Sequence, residues 1–123
     1  HPDPNVVNWV AKYKKQIIGF VQLVNCGDHT GLYSGYWLFS LYVMIPWRGL
    51  GVGERLCKAV IERASSDCAQ ALRLFVAKSN LPAIHLYREL GFQEVVTPEL
   101  KIQLEEEYNQ TGHRRILMEK KIG

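Results

Sequence analysis

The most constraining feature of the chain is the stretch Leu41 to Leu56, LYVMIPWRGLGVGERL, in which an apolar run meets a glycine-rich turn and resumes with a different period. Residues 36–45 are rich in aromatic and β-branched side chains, which predicts a strand covered on both faces. Pro46 has no N–H for a ladder bond, so the strand is expected to end there. Val52, Leu56, Val60 and Ala64 then recur at helical spacing, with Ile61 beside them. Glu54, Arg55, Lys58, Glu62 and Arg63 fall mostly on the opposite side, which predicts an amphipathic helix over about 52–64.

Glycines at 49, 51 and 53 sit at the junction of strand and helix. Lacking Cβ atoms, they can take positive φ and let a ligand come close to the backbone. The free N–H groups of the first helical turn and the positive end of the helix dipole then favour an anion. Arg48 adds a cation, so the expected guest is a phosphate or pyrophosphate. A P-loop requires Gly-Lys-Ser/Thr, but Gly53 is followed by Glu54-Arg55. The dinucleotide fingerprint requires a third glycine where Glu54 stands.

The pattern left is Arg48-x-x-Gly51-x-Gly53, preceded by Leu41-Tyr42-Val43 and Pro46. A second pattern follows in Asn80-x-x-Ala83-x-x-x-Tyr87-Arg88-x-x-Gly91-Phe92. Together they resemble the two signatures of the GNAT superfamily of N-acetyltransferases, in the right order and separated by a βα segment of the right length. The resemblance runs from about Trp9 to the C-terminus. It implies an α/β fold with a mixed sheet, the GNAT-like acyl-CoA N-acyltransferase fold, short at its N-terminus. The family's usual first strand and early helices, which help to build the acceptor pocket, have no counterpart in the sequence.

The elements read in order support that fold class. Trp9–Tyr13 and Ile17–Val24 are predicted to form a hairpin about the polar turn Lys14-Lys15-Gln16, with Gly19 marking a bulge or a close approach. Residues 25–31 read as a loop. Leu72–Val76 is the next strand, and strand 36–45, helix and strand form a βαβ unit expected to be parallel and right-handed. Ser79-Asn80-Leu81-Pro82 starts a second helix, which Gly91 stops, with Phe92 as the hydrophobic contact after it. A short strand over 93–97, a polar stretch with some helical character at Leu100, Leu104 and Tyr108, a turn over 109–112 and a closing strand over 114–122 complete the chain.

The 123 residues suffice for one domain, read here over 1–123 as the C-terminal, CoA-binding portion of a GNAT-like domain. A net charge of +3 suits an anionic cofactor and is too small to argue for nucleic acid. The longest apolar run is too short to span a bilayer. Cys26, Cys57 and Cys68 are odd in number, without metal or redox spacing, and no two histidines have zinc-site spacing. Cys57 is expected to pack in the core. These cysteines make a reducing cytoplasm the expected compartment; no secretory signal is read at His1-Pro2-Asp3-Pro4-Asn5, and without an initial Met the chain is expected to be a processed, trimmed or excised piece. A homodimer or a missing N-terminal segment is a further expectation.

The resemblance implies acetyl transfer from acetyl-CoA to an amine of a small molecule or peptide, by direct attack in a ternary complex without metal. Leu41, Tyr42 and Val43 would bind the pantetheine arm and polarise the thioester carbonyl through their backbone. Arg48, Gly49, Leu50, Gly51, Val52 and Gly53 would hold the pyrophosphate. Asn80 would contact the cofactor near its pantetheine end, and Arg88 would reach a CoA phosphate or stay in solvent. Tyr87 would be the general acid, since a phenol, with an ordinary pKa of about 10, is protonated at neutral pH; packing on the core face is the other reading of its spacing. Residues 36–45 offer no carboxylate as general base, leaving Glu94, Glu99, Glu105 to Glu107 and His113 as candidates. Glu99, Glu105, Glu106 and Glu107 outnumber Lys101 in the polar stretch and would favour a cationic amine. The alternative function is a non-catalytic acyl-CoA-binding sensor or partner module of the same fold.

Overall fold

The computed structural model describes residues 5–27 and 34–123. Its elements are β1 (Val6–Tyr13), β2 (Gln16–Asn25), β3 (Tyr36–Val43), a 3-10 turn (Ile45–Trp47), α1 (Val52–Ser66), β4 (Ala71–Ala77), α2 (Leu81–Glu89), β5 (Gln93–Val95), α3 (Pro98–Thr111) and β6 (Arg115–Lys121). They divide into two compact units. One runs to Leu72 and includes Ile122 and Gly123; the other is Arg73–Lys121. Of the loop expected over 25–31, Asn25 ends β2, Cys26 and Gly27 follow, and the remainder lies outside the described residues.

In the first unit β1, β2 and β3 are neighbours in that order, and both pairings are antiparallel. The hairpin turns at Lys14-Lys15, and Lys14 has a φ of 56°. Gly19, Val21 and Leu23 alternate on a buried face of β2, and α1 packs across this sheet with Leu56, Cys57, Val60 and Ala64 buried. Gly19 fulfils both sequence readings. The β1–β2 register slips beside it, between Ala11 and Lys12. A Cβ at Gly19 would lie 3.0 Å from Leu56 Cδ1 and 3.2 Å from Val52 Cγ1. A side chain there would have to displace these groups and the Tyr42 carbonyl, 3.3 Å away, by a few tenths of an ångström, so glycine suits the close approach of α1. Cys57 is fully buried, and burial pushes its thiol up to about 12, so it packs as a small apolar group.

β3 departs from expectation twice. It ends at Val43, and Pro46 sits inside the 3-10 turn. Proline suits that first-turn position because its missing N–H would have no partner there. The strand is also not covered on both faces: Trp37 and Leu38 are buried, but Ser40 and Tyr42 are exposed. The cause is a bulge. Phe20 pairs with Tyr42 and Gln22 with Phe39, so two steps on β2 face three on β3. Ser40, with a φ of 60°, accommodates the extra residue.

In the second unit β4 lies beside β6, and β6 pairs antiparallel with β5. Arg73 Nε donates to Glu119 Oε2 at 2.7 Å, joining β4 to β6. Ile116, Leu117 and Met118 are all buried, so β6 is covered on both faces. The polar stretch is a regular 14-residue helix, α3. Thr97 Oγ1 caps it by accepting from Leu100 N at 3.1 Å, and Pro98 opens the first turn. Residues 109–111, expected to turn, belong to this helix, and the chain turns at Gly112 with a φ of 75°. Likewise α1 continues through Ser65 and Ser66, where Arg63 and Asp67 pair at 3.2 Å.

Candidate functional site

The proposed phosphate turn is built on the end of β3. Leu41 and Val43 are half-buried, while Tyr42 is exposed. Met44 N donates to Ile18 O at 2.8 Å, the last tie to β2 before the chain leaves the sheet. Gly49 and Gly51 then adopt φ of 76° and 87°, the left-handed region that glycine occupies without strain. A Cβ added at either would meet nothing within 4 Å, so the backbone here borders open space. Arg48, Leu50 and Gly51 are exposed, and Val52 and Gly53 are half-buried in the first turn of α1.

Gly51 is the N-cap of α1 and offers no capping side chain. The first N–H groups of a helix need partners from outside it, and with a glycine cap they are open to an anion. The other two helices are closed by their own residues: Asn80 Oδ1 accepts from Ala83 N at 3.3 Å, and Thr97 caps α3. Glu54 would oppose an anion at the open end, but its carboxylate pairs with Lys58 at 2.9 Å one turn along. Arg48 is anchored to the strand. Its Nε donates to Val43 O at 2.8 Å, and its guanidinium lies 5.4 Å from the centroid of the Tyr42 ring. The first unit thus brings Leu41–Val43 and Arg48–Gly53 into one local constellation.

The second unit holds the remaining candidates, all on α2. Asn80 is its N-cap, so its amide oxygen serves the helix start. Tyr87 is buried, with 5% of its surface exposed, and its ring meets Phe92 edge-on at 5.7 Å. Phe92 N donates to Tyr87 O at 2.9 Å and Gly91 N to Arg88 O at 3.0 Å, the paired bonds of a glycine-closed helix end. The ring therefore packs on the core, as one sequence reading held. Arg88 is exposed.

The acidic segment is less acidic than its composition suggests. Arg114 Nη1 donates to Glu105 Oε2 at 2.9 Å, and Arg115 Nη2 to Glu107 Oε1 at 2.6 Å. The hydrogen bond and charge of Arg114 hold the Glu105 carboxyl below the ordinary carboxylate range. Counting charge only to Gly112 omitted these two arginines, so the expected excess over Lys101 is largely compensated. A groove of about 220 Å³ is lined by Lys78, Lys101, Arg114 and Arg115 together with Glu94 and Glu105, and by apolar side chains that include Leu100 and Ile116. Among the described residues, no group of three or more His, Cys, Asp or Glu side chains is placed to hold a metal ion. No described helix is long and apolar enough to cross a membrane.

Two contributors to this region were missed from sequence. Ser40 carried a weak signal, as the one small polar side chain in the run 36–45. The contact between Tyr13 and Trp47, ring centroids 4.7 Å apart, carried none, because the two residues are distant in sequence.

Residues 1–92 match the model of the acetyltransferase (GNAT) family. The chain belongs to this family. It is 36% identical over 82 residues to mouse (Mus musculus) thialysine N-ε-acetyltransferase, an alignment covering 63% of this chain and 48% of the mouse protein. Over 84 residues it is 30% identical to the N-α-acetyltransferase MAK3 of Arabidopsis thaliana, covering 68% of this chain and 43% of that protein. This GNAT chain thus spans about half the length, or less, of these curated relatives. Its fold matches PaiA N-acetyltransferase of Thermoplasma acidophilum, solved in complex with coenzyme A, with a TM-score of 0.72 and 19% identity over 95% of this chain and 61% of that one. The chain has the mixed α/β fold of the acyl-CoA N-acyltransferases, with six strands and three α-helices among the described residues.

Proposed function

We propose that this GNAT chain is the CoA-binding portion, over 1–123, of an enzyme that transfers an acetyl group from acetyl-CoA to an amine. The observation that carries the reading is the turn Arg48–Gly53. It combines two left-handed glycines bordering open space, a helix N-terminus without a side-chain cap and a cation fixed to the neighbouring strand. That donor set suits a pyrophosphate.

In the reaction, the amine nitrogen attacks the thioester carbonyl carbon, the C–S bond breaks, and CoA leaves as a thiol. The amine loses one proton and the sulfur gains one. Backbone groups of Leu41–Val43 align the pantetheine arm and polarise the carbonyl as negative charge develops on its oxygen. The bulge at Ser40 interrupts the β2–β3 ladder next to Leu41, while Tyr42 and Val43 stay paired with Phe20 and Gly19. The Tyr87 hydroxyl donates the proton to sulfur, Asn80 steadies the cofactor near its pantetheine end, and Arg88 meets a CoA phosphate. The acceptor is a small-molecule or peptide amine, and the enzyme works in the cytoplasm.

A second reading, an acyl-CoA-binding module without turnover, draws on one observation: β3 carries no acidic side chain to act as a base. CoA release from acetyl-CoA across a panel of amines separates the two. Amine-dependent release supports transfer, whereas tight CoA binding with no release from any amine supports the module.

A further inference from the structure

We propose that Tyr13 is a positioning residue for cofactor binding: through Trp47 it sets the geometry of the turn that carries Arg48, Gly49 and Gly51. The inference rests on the reading of that turn as the CoA pyrophosphate site.

The segment between β3 and α1 has little to hold it. Its own bonds are those of one 3-10 turn, Trp47 N to Met44 O at 2.8 Å and Arg48 N to Ile45 O at 3.2 Å, and the side-chain bond from Arg48 Nε to Val43 O at 2.8 Å. Ile45 and Leu50 are 69% and 68% exposed, so they anchor nothing. The hairpin supplies the missing support at three points. Ile18 O accepts from Met44 N, Gln16 Nε2 lies 3.7 Å from Met44 Sδ, and the Tyr13 ring packs on Trp47 at 4.7 Å. The first two hold Met44, where the turn begins. The ring contact alone reaches Trp47, the residue before Arg48. The Tyr13 backbone is held by its pairing with Gln16 across the tight turn, and its half-exposed ring has Lys14 Nζ 5.4 Å from its centroid.

Without the Tyr13 ring, the turn keeps the bond from Arg48 to Val43 but loses its support at Trp47, and geometries that do not bind become populated. A ligand that binds one conformer loses apparent affinity in proportion to the population of that conformer. Tyr13 does not touch the reacting atoms, so turnover at saturating acetyl-CoA should not change.

The test is calorimetric titration of CoA into the parent protein, Tyr13→Phe and Tyr13→Ala, with amide NMR of Gly49 and Gly51. An aromatic contact of this kind corresponds to a rise in Kd of about three- to tenfold for Tyr13→Ala. Tyr13→Phe keeps the ring and should match the parent. The Gly49 and Gly51 resonances should move in Tyr13→Ala alone, and the KM for acetyl-CoA should rise with kcat unchanged. Should Tyr13→Ala fail to fold, Tyr13→Leu keeps apolar bulk without the ring and carries the same expectation. A parent that binds CoA while Tyr13→Ala or Tyr13→Leu binds it equally well overturns the inference. A parent that does not bind CoA overturns the reading on which it stands.

Discussion

Arg48 Nε donates a 2.8 Å hydrogen bond to the carbonyl oxygen of Val43. This bond ties the cation of the glycine turn to the end of β3, across the five residues by which the chain leaves the sheet. It also restricts which substitutions can succeed. Lysine keeps the charge but has no Nε–H at that point of its stem and no planar group to lie by Tyr42. Arg48→Lys should therefore weaken CoA binding about tenfold, the scale of a lost hydrogen bond to a charged group. Calorimetry checks this; equal affinities would mean that charge alone suffices there.

Tyr87 and Phe92 close α2 with their rings and their backbone. Tyr87→Phe retains the packing and removes the proposed proton donor. The melting temperature should stay within a few degrees of the parent, while the chemical step slows by about 10²–10⁴-fold, the usual contribution of a general acid. Rapid-quench kinetics reads that step directly. An unchanged rate would leave Tyr87 as a packing residue only.

Glu105 and Arg114 make a pH-dependent contact at the end of α3. The folded-state carboxyl titrates below its ordinary value, chiefly because it accepts from Arg114. Its contribution is thus present above the ordinary carboxylate range and is lost as pH falls through the depressed value. In Arg114→Met, the Glu105 titration followed by carbonyl NMR should return toward the ordinary range. Because Glu105 and Glu107 are paired, replacing each together with its partner, Glu105→Gln with Arg114→Gln and Glu107→Gln with Arg115→Gln, should leave the KM of a cationic amine nearly unchanged at low salt. A KM that rises at low salt and recovers at high salt would restore the electrostatic lure that the sequence suggested.

Local chemistry made much of this molecule legible from sequence. The left-handed glycines of the turn, the Asn80 cap and the Gly91-Phe92 closure each depend on a few neighbouring residues, and each was found where its motif stood. The signs of α3 were also local, since Thr97-Pro98-Glu99 is a cap, a first-turn proline and a first-turn acid; the polar composition beyond them concealed the helix. Other features depend on partners distant in the chain. Ser40 bulges because β2 offers one residue fewer over the same span, and Glu105 and Glu107 are neutralised by arginines beyond the next turn. Ser40 and its β2 partners belong to different elements, and the Glu–Arg pairs, 9 and 8 residues apart, straddle the end of α3 at Gly112.

The central claim is that the Arg48–Gly53 turn binds the pyrophosphate of acetyl-CoA, and its most direct test compares two substitutions at Gly51. The φ of 87° strains any side chain, although no atom lies within 4 Å of the Cβ position. Gly51→Ala should therefore cost about 1–2 kcal/mol of stability by backbone strain. Aspartate tolerates this conformation better than alanine but places a negative charge in the phosphate path. Calorimetric titration should give a measurable Kd for CoA with Gly51→Ala, and no detectable binding with Gly51→Asp at a melting temperature no lower than that of the alanine variant. Parent-like CoA affinity in a folded Gly51→Asp protein would contradict the assignment of this turn.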